Sequence, residues 1–267
     1  MRNLKNKIQT GVKTIIAISL FAFLSCKKKT TDTPPPVPTG VVGIHLHTDI
    51  NVTEVDSGKV ATDANGRKFQ LNTAQFYAYN FILKKTDGSA VTISNGNYIL
   101  KTIGTEMYVL GTVPAGNYSS ISFNVGVDPA YNASNPSTFP SSSPLYTQNP
   151  PMWFGSTAQG YMFANIQGLA DTSVSQTSTV SQYQSFSYQL GTNAMLKTIS
   201  LPAMSMPLSV TANTTSGNPA LFHVICDYGK LLQGVNFKTQ NAATPFGNTA
   251  VATQIANNLP GMFHYEM

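Results

Sequence analysis

Four histidines carry most of the chemistry that this 267-residue sequence offers. His45 and His47 alternate in VVGIHLHTDI. Side chains at i and i+2 of a strand leave from the same face, so two imidazoles could converge on one metal ion with little backbone distortion. That face also carries Gly43 and Asp49, while Val42, Ile44, Leu46 and Ile50 make the opposite side apolar, apart from Thr48. A polar, solvated strand face explains the pair just as well. His223 lies in ALFHVICDY with apolar neighbours on both faces, the pattern of a hydrogen-bonded core histidine rather than a ligand. Cys226 has the opposite strand parity to His223, so the two cannot chelate together, and it reads as a buried, inert thiol. His264, near the C-terminus, is expected to be solvent-exposed.

A second candidate region is MWFGSTAQGYMF, residues 152 to 163, which holds the single tryptophan, Trp153. Met152, Trp153 and Tyr161 follow a long irregular segment, Asp128 to Pro151, dense in Pro, Ser and Asn, and loops of that length are often functional. The cluster either lines a metal pocket or plugs one end of the fold. Burying such side chains stabilises by about 1.5–3 kcal/mol apiece, so packing is the first explanation. Catalytic signatures are missing: there is no HExxH, no G-x-S-x-G, no phosphate-binding glycine loop and no CxxC. The carboxylates are scattered singly, and Asp128 after Gly126-Val127 reads as a turn former. The expectation is a protein without enzymatic activity.

The elements that must position these residues are short strands. Alternating or β-branched and aromatic segments recur beyond residue 40, as in FYAYNFILKK, EMYVLGTV, YSSISFNVGV, YQSFSYQL and ALFHVICDY. Turn signals separate them, including Asp87-Gly88, Asn95-Gly96, Pro114-Ala115-Gly116 and Ser216-Gly217. This pattern predicts an all-β fold, an antiparallel β-sandwich with long loops, spanning residues 41–267. One short C-terminal helix is expected over Thr249 to Leu259, where Val251, Ile255 and Leu259 share a face and Pro260 ends the run.

The N-terminus predicts an address. Arg2, Lys5, Lys7 and Lys13 lead into the apolar run TIIAISLFAFL, too short to span a bilayer but suited to a secretory signal peptide over residues 1–25. The following Leu24-Ser25-Cys26 resembles the lipobox of bacterial lipoproteins, which implies diacylation of Cys26 and a membrane partner through that anchor. Residues 26–40, rich in Lys, Thr and Pro, read as a stalk. Removing residues 1–25 leaves twelve basic against eleven acidic residues, and Lys27, Lys28 and Lys29 belong to the tether. No basic patch remains for nucleic acid. Those lysines stand where some surface-exported lipoproteins carry acidic residues, so the expected place is the periplasmic side of the outer membrane. Cys226 is the one other cysteine, so no internal disulfide can form and the core must supply the stability.

Taken in order, ISFNVGVD (121–128), Asn132, Pro144-Leu145, Met152-Trp153 and Gly160-Tyr161 resemble the MbnP-like family of exported copper-binding proteins. Asn80-Phe81-Ile82-Leu83 with Asp87-Gly88, FSYQLG (186–191) and FHVICDYGKLLQG (222–234) extend the resemblance over most of the chain beyond the stalk. It implies copper held largely by histidine near a tryptophan that some members oxidise to kynurenine. The chain departs from that pattern at Ala133 and Gln189, where relatives have histidines. His47 matches the first-strand histidine, with His45 beside it. The candidate pocket takes in Asn132, Met152, Trp153, Tyr161, Gln189 and His223. The alternative is a surface adhesion or glycan-binding lipoprotein using Tyr131, Asn132, Phe139, Tyr146 and Trp153.

Overall fold

The computed structural model describes residues 35–93 and 98–266. The signal peptide, Cys26, most of the stalk and the Asn95-Gly96 turn lie outside the described residues. In chain order the strands are β1 (Thr39–Ile50), β2 (Thr53–Glu54), β3 (Val60–Thr62), β4 (Lys68–Lys85), β5 (Ala90–Thr92), β6 (Ile99–Lys101), β7 (Met107–Pro114) and β8 (Gly116–Val125). A one-turn helix, α1 (Pro129–Asn132), opens the long loop. There follow β9 (Met162–Ala170), β10 (Gln184–Gly191), β11 (Lys197–Ser200), β12 (Leu208–Val210) and β13 (Ala220–Asp227). The chain continues through α2 (Tyr228–Leu231), β14 (Ala242–Ala243), α3 (Thr249–Met262) and β15 (Phe263–Tyr265).

Two sheets form, as the alternation requires. The larger runs β11-β8-β4-β9-β10-β14, with β12 on β8 and the short β3, β5 and β6 along β4. The smaller runs β15-β13-β1-β2, and β7 joins β1 on the same edge as β2. One hydrophobic core draws on both. Val42, Ile44 and Leu46 of β1 are fully buried, and Phe263 of β15 meets Phe76 of β4 and Phe123 of β8 edge-on, at ring separations of 5.5 and 5.2 Å. Lys101 of β6 is wholly buried, its ammonium donating to Thr48 Oγ1 of β1 and to the carbonyls of Thr102 and Thr105. Those three acceptors replace its lost water, yet burial still pushes its pKa down.

Two expectations are corrected. The sandwich is not purely antiparallel: β1 and β13 pair in parallel, as do β10 and β14. A parallel pair needs a crossover connection, and between β1 and β13 every strand of the larger sheet except β14 intervenes. The C-terminal helix also continues through Pro260 to Met262. Pro260 removes one backbone donor near the end of the helix, whereas the buried stripe of Val251, Ile255, Leu259 and Met262 keeps the last turn in place.

Candidate metal centre

The parallel register of β1 and β13 sets His45 directly opposite His223 and His47 opposite Ile225. Partners across a ladder point to the same face, so three imidazoles share the outer face of the smaller sheet. The ring centroids of His45 and His47 lie 3.9 Å apart, and those of His45 and His223 5.2 Å apart. One nitrogen from each of the three rings lies within 4.8 Å of the others. The expectation of a core His223 is therefore wrong: its side chain is 48% exposed. Leu221 and Ile225, its neighbours on that face, are themselves only half-buried, so apolar flanks did not mark a covered surface. His264 faces the same way, opposite Ile225 in β15, and is half-buried rather than exposed. Burial first, then Lys230, lowers its pKa.

Carboxylates ring the imidazoles. Glu106 precedes β7 and fills the gap between β7 and β2 along the edge of β1. Its carbonyl accepts from Leu46 N–H, and its Oε1 accepts from Thr48 N–H at 3.3 Å. Oε2 of the same residue lies 3.3 Å from His45 Nε2 and 3.9 Å from His47 Nδ1. Glu54 Oε1 of β2 is 3.7 Å from His47 Nδ1. Glu266, just past β15, reaches His47 Nε2 at 3.4 Å and His223 Nδ1 at 3.3 Å. Among the described residues every ion-pair partner of Glu54, Glu106 and Glu266 is a histidine; no lysine or arginine competes.

This chemistry suits a cation. Burial, then the neighbouring His47, pushes the His45 pKa down against the pull of Glu106, which favours the neutral ring with a free lone pair. His47 Nε2 is buried and makes no hydrogen bond, the nearby Glu266 oxygen being badly aligned for one. Asp49 Oδ1, on the same face of the same strand, is buried and unpartnered too. Its carboxyl is pushed up, by burial above all. Buried polar atoms without partners cost about 1–3 kcal/mol each, and two of them beside three imidazoles fit an ion with its waters.

The other sequence candidates lie elsewhere. Asn132 is buried at the end of α1, where its Oδ1 accepts from Tyr161 N–H at 2.9 Å and its Nδ2 donates to Asn193 Oδ1. It braces the long loop and offers no glycan-binding amide. Met152 is buried, and Trp153 forms a β-bridge to Tyr161, whose hydroxyl donates to Leu145 O. Ala133 caps α1, and Gln189 pairs with Asn165 across β10 and β9, both away from the smaller sheet. A cleft of about 310 Å³ beside Trp153 is lined by Tyr77, Tyr146, Met152 and Tyr161 among others, with no histidine. The imidazoles thus meet, but not beside the indole. Sequence reasoning missed Glu106, Glu54 and Glu266, because each is a single carboxylate in a strand-edge or terminal position with no local motif.

Comparison with known proteins follows the fold. The MbnP family model matches residues 39–250. The solved structure of MbnP from Methylosinus trichosporium is similar, with a TM-score of 0.52 at 15% identity, over 74% of this chain and 78% of that one. No curated protein matches the sequence.

Proposed function

The chain belongs to the MbnP family, which is methanobactin-associated and copper-related, and from that premise we propose that it is a metal-handling module binding copper through His45, His47 and His223. The observation that carries this reading is the convergence of three imidazoles from β1 and β13, with His47 Nε2 buried and lacking any hydrogen-bond partner. Imidazole nitrogen is a good ligand for copper, and the flanking carboxylates offset the charge of the ion. The binding role needs no catalytic group. Lipid attachment at Cys26 would hold the module on the periplasmic side of the outer membrane, a placement supported by the basic start, the short apolar run and the three lysines after the cysteine.

The test is metal analysis of the purified full chain after loading with copper and removal of excess. About one equivalent is expected, with His47→Ala and His223→Ala each lowering affinity by about a hundredfold or more. Wild-type protein that retains no copper would end the proposal.

A further inference from the structure

Resting on that reading, we infer that Glu266 is the fourth ligand of a His45, His47, His223 and Glu266 site, and that the site therefore selects a divalent over a monovalent ion. Three separations run in sequence through these four groups. His45 Nδ1 is 3.4 Å from His223 Nδ1, His223 Nδ1 is 3.3 Å from Glu266 Oε2, and Glu266 Oε2 is 3.4 Å from His47 Nε2. An ion in tetrahedral coordination, with bonds of about 2.0–2.1 Å, holds its ligands about 3.3–3.4 Å apart. The three contacts have the length of the edges of such a polyhedron. One nitrogen of each ring lies within 4.8 Å of the others and Glu266 Oε2 approaches both His47 and His223, so the rings and the carboxylate draw inward together as the ion binds.

The opposite ring nitrogens support this assignment of ligand atoms. His45 Nε2 faces Glu106 Oε2 at 3.3 Å, and His47 Nδ1 faces Glu54 and Glu106. A metal-bound histidine commonly gives its other N–H to a carboxylate, which fixes the tautomer and turns the free lone pair toward the metal. Here the arrangement leaves His45 Nδ1 and His47 Nε2 as the ligating atoms, and the latter is the buried atom without a hydrogen bond. Glu266 is held in place by the backbone, its N–H donating to His223 O at 3.2 Å.

Selection follows from the donor set. A carboxylate oxygen is a hard, anionic ligand that favours a doubly charged ion. Soft sulfur, which would favour the monovalent ion, is scarce here. Cys226 points into the core, and Met107, a thioether opposite His45 on the same face, is 57% exposed to solvent and lies outside the four groups in mutual contact.

The experiment compares the full chain with Glu266→Gln, which keeps the shape and removes the charge. Affinities would be measured for Zn2+ and Cu2+ by competition with chelators, and for Cu+ under reducing anaerobic conditions with bicinchoninate. Glu266→Gln is expected to weaken both divalent ions by about tenfold or more, to leave Cu+ within about twofold, and to keep the nitrogen hyperfine pattern of bound Cu2+. Divalent affinities unchanged by Glu266→Gln, or wild-type protein that prefers Cu+, would overturn the inference while leaving the copper reading intact. A chain that binds none of the three ions would sink both.

Discussion

Glu106 illustrates how a single side chain can hold two imidazoles in place. It binds the β1 backbone through Thr48 N–H and faces two imidazoles with its other oxygen. Glu106→Gln is expected to lower metal affinity by about tenfold while the apo protein melts at nearly the same temperature, because what is lost is ring orientation and basicity rather than packing. Calorimetric titration alongside thermal melts would check this, and an equal loss in both would reduce Glu106 to a structural residue. Trp153 makes the opposite case. Its indole N–H is buried without a partner, and its cleft contains no histidine. Trp153→Phe should leave metal affinity within about twofold and alter stability only through packing, by about 1 kcal/mol either way. A collapse of metal binding in that variant would put the indole back in the site.

At the scale of elements, the long loop is tied down by its own helical turn and by several hydrogen bonds, among them those of Asn132 to Tyr161 and Asn193 and of Tyr161 to Leu145. Gly160 has φ +75°, and a Cβ there would lie 2.5 Å from Asn132 Oδ1 and 2.7 Å from Asn132 O. Gly160→Ala would strain the backbone and break the Asn132 bond to Tyr161 N–H, for an expected loss of about 2–4 kcal/mol in urea unfolding with metal affinity unchanged. The strands were legible in the sequence, because period-two alternation reports a half-buried sheet directly, and so was the C-terminal helix from its Val251, Ile255 and Leu259 stripe. Pairing was not legible. Nothing local to ALFHVICDY tells that β13 lies parallel to β1, and without that register His223 cannot be seen to meet His45. The same lack hid Glu106 and Glu266, which matter only through the strands beside them. The family resemblance picked out His47 of β1 but paired it with the Trp153 region, where the expected histidines are replaced by Ala133 and Gln189, rather than with β13 and the carboxylates beside it.

For the whole molecule, the core contains many phenols and one thiol that must stay protonated. Burial raises the pKa values of Tyr77, Tyr98, Tyr108, Tyr188 and Tyr228, and it pushes Cys226 up to about 12. A group with a raised folded-state pKa releases its proton first in the unfolded chain. From neutral pH to about pH 9 their contribution should be level, and above that stability should fall, by up to about 1.4 kcal/mol per pH unit for each group titrating. Denaturant midpoints between neutral and alkaline pH would show this, and a level profile would contradict it. Iodoacetamide at mildly alkaline pH should likewise leave Cys226 unmodified until the protein is unfolded. The pairing of β1 with β13 has one more consequence, in time rather than in space. His45 and His223 are 178 positions apart, and Glu266 follows His223 in sequence by 43 more. A ribosome delivers the first two histidines long before the others exist, and contacts so distant in sequence form slowly. With the proposed ligand set, ion capture would be a late event, and retained metal would certify that β1, β13 and β15 had all been made and had met.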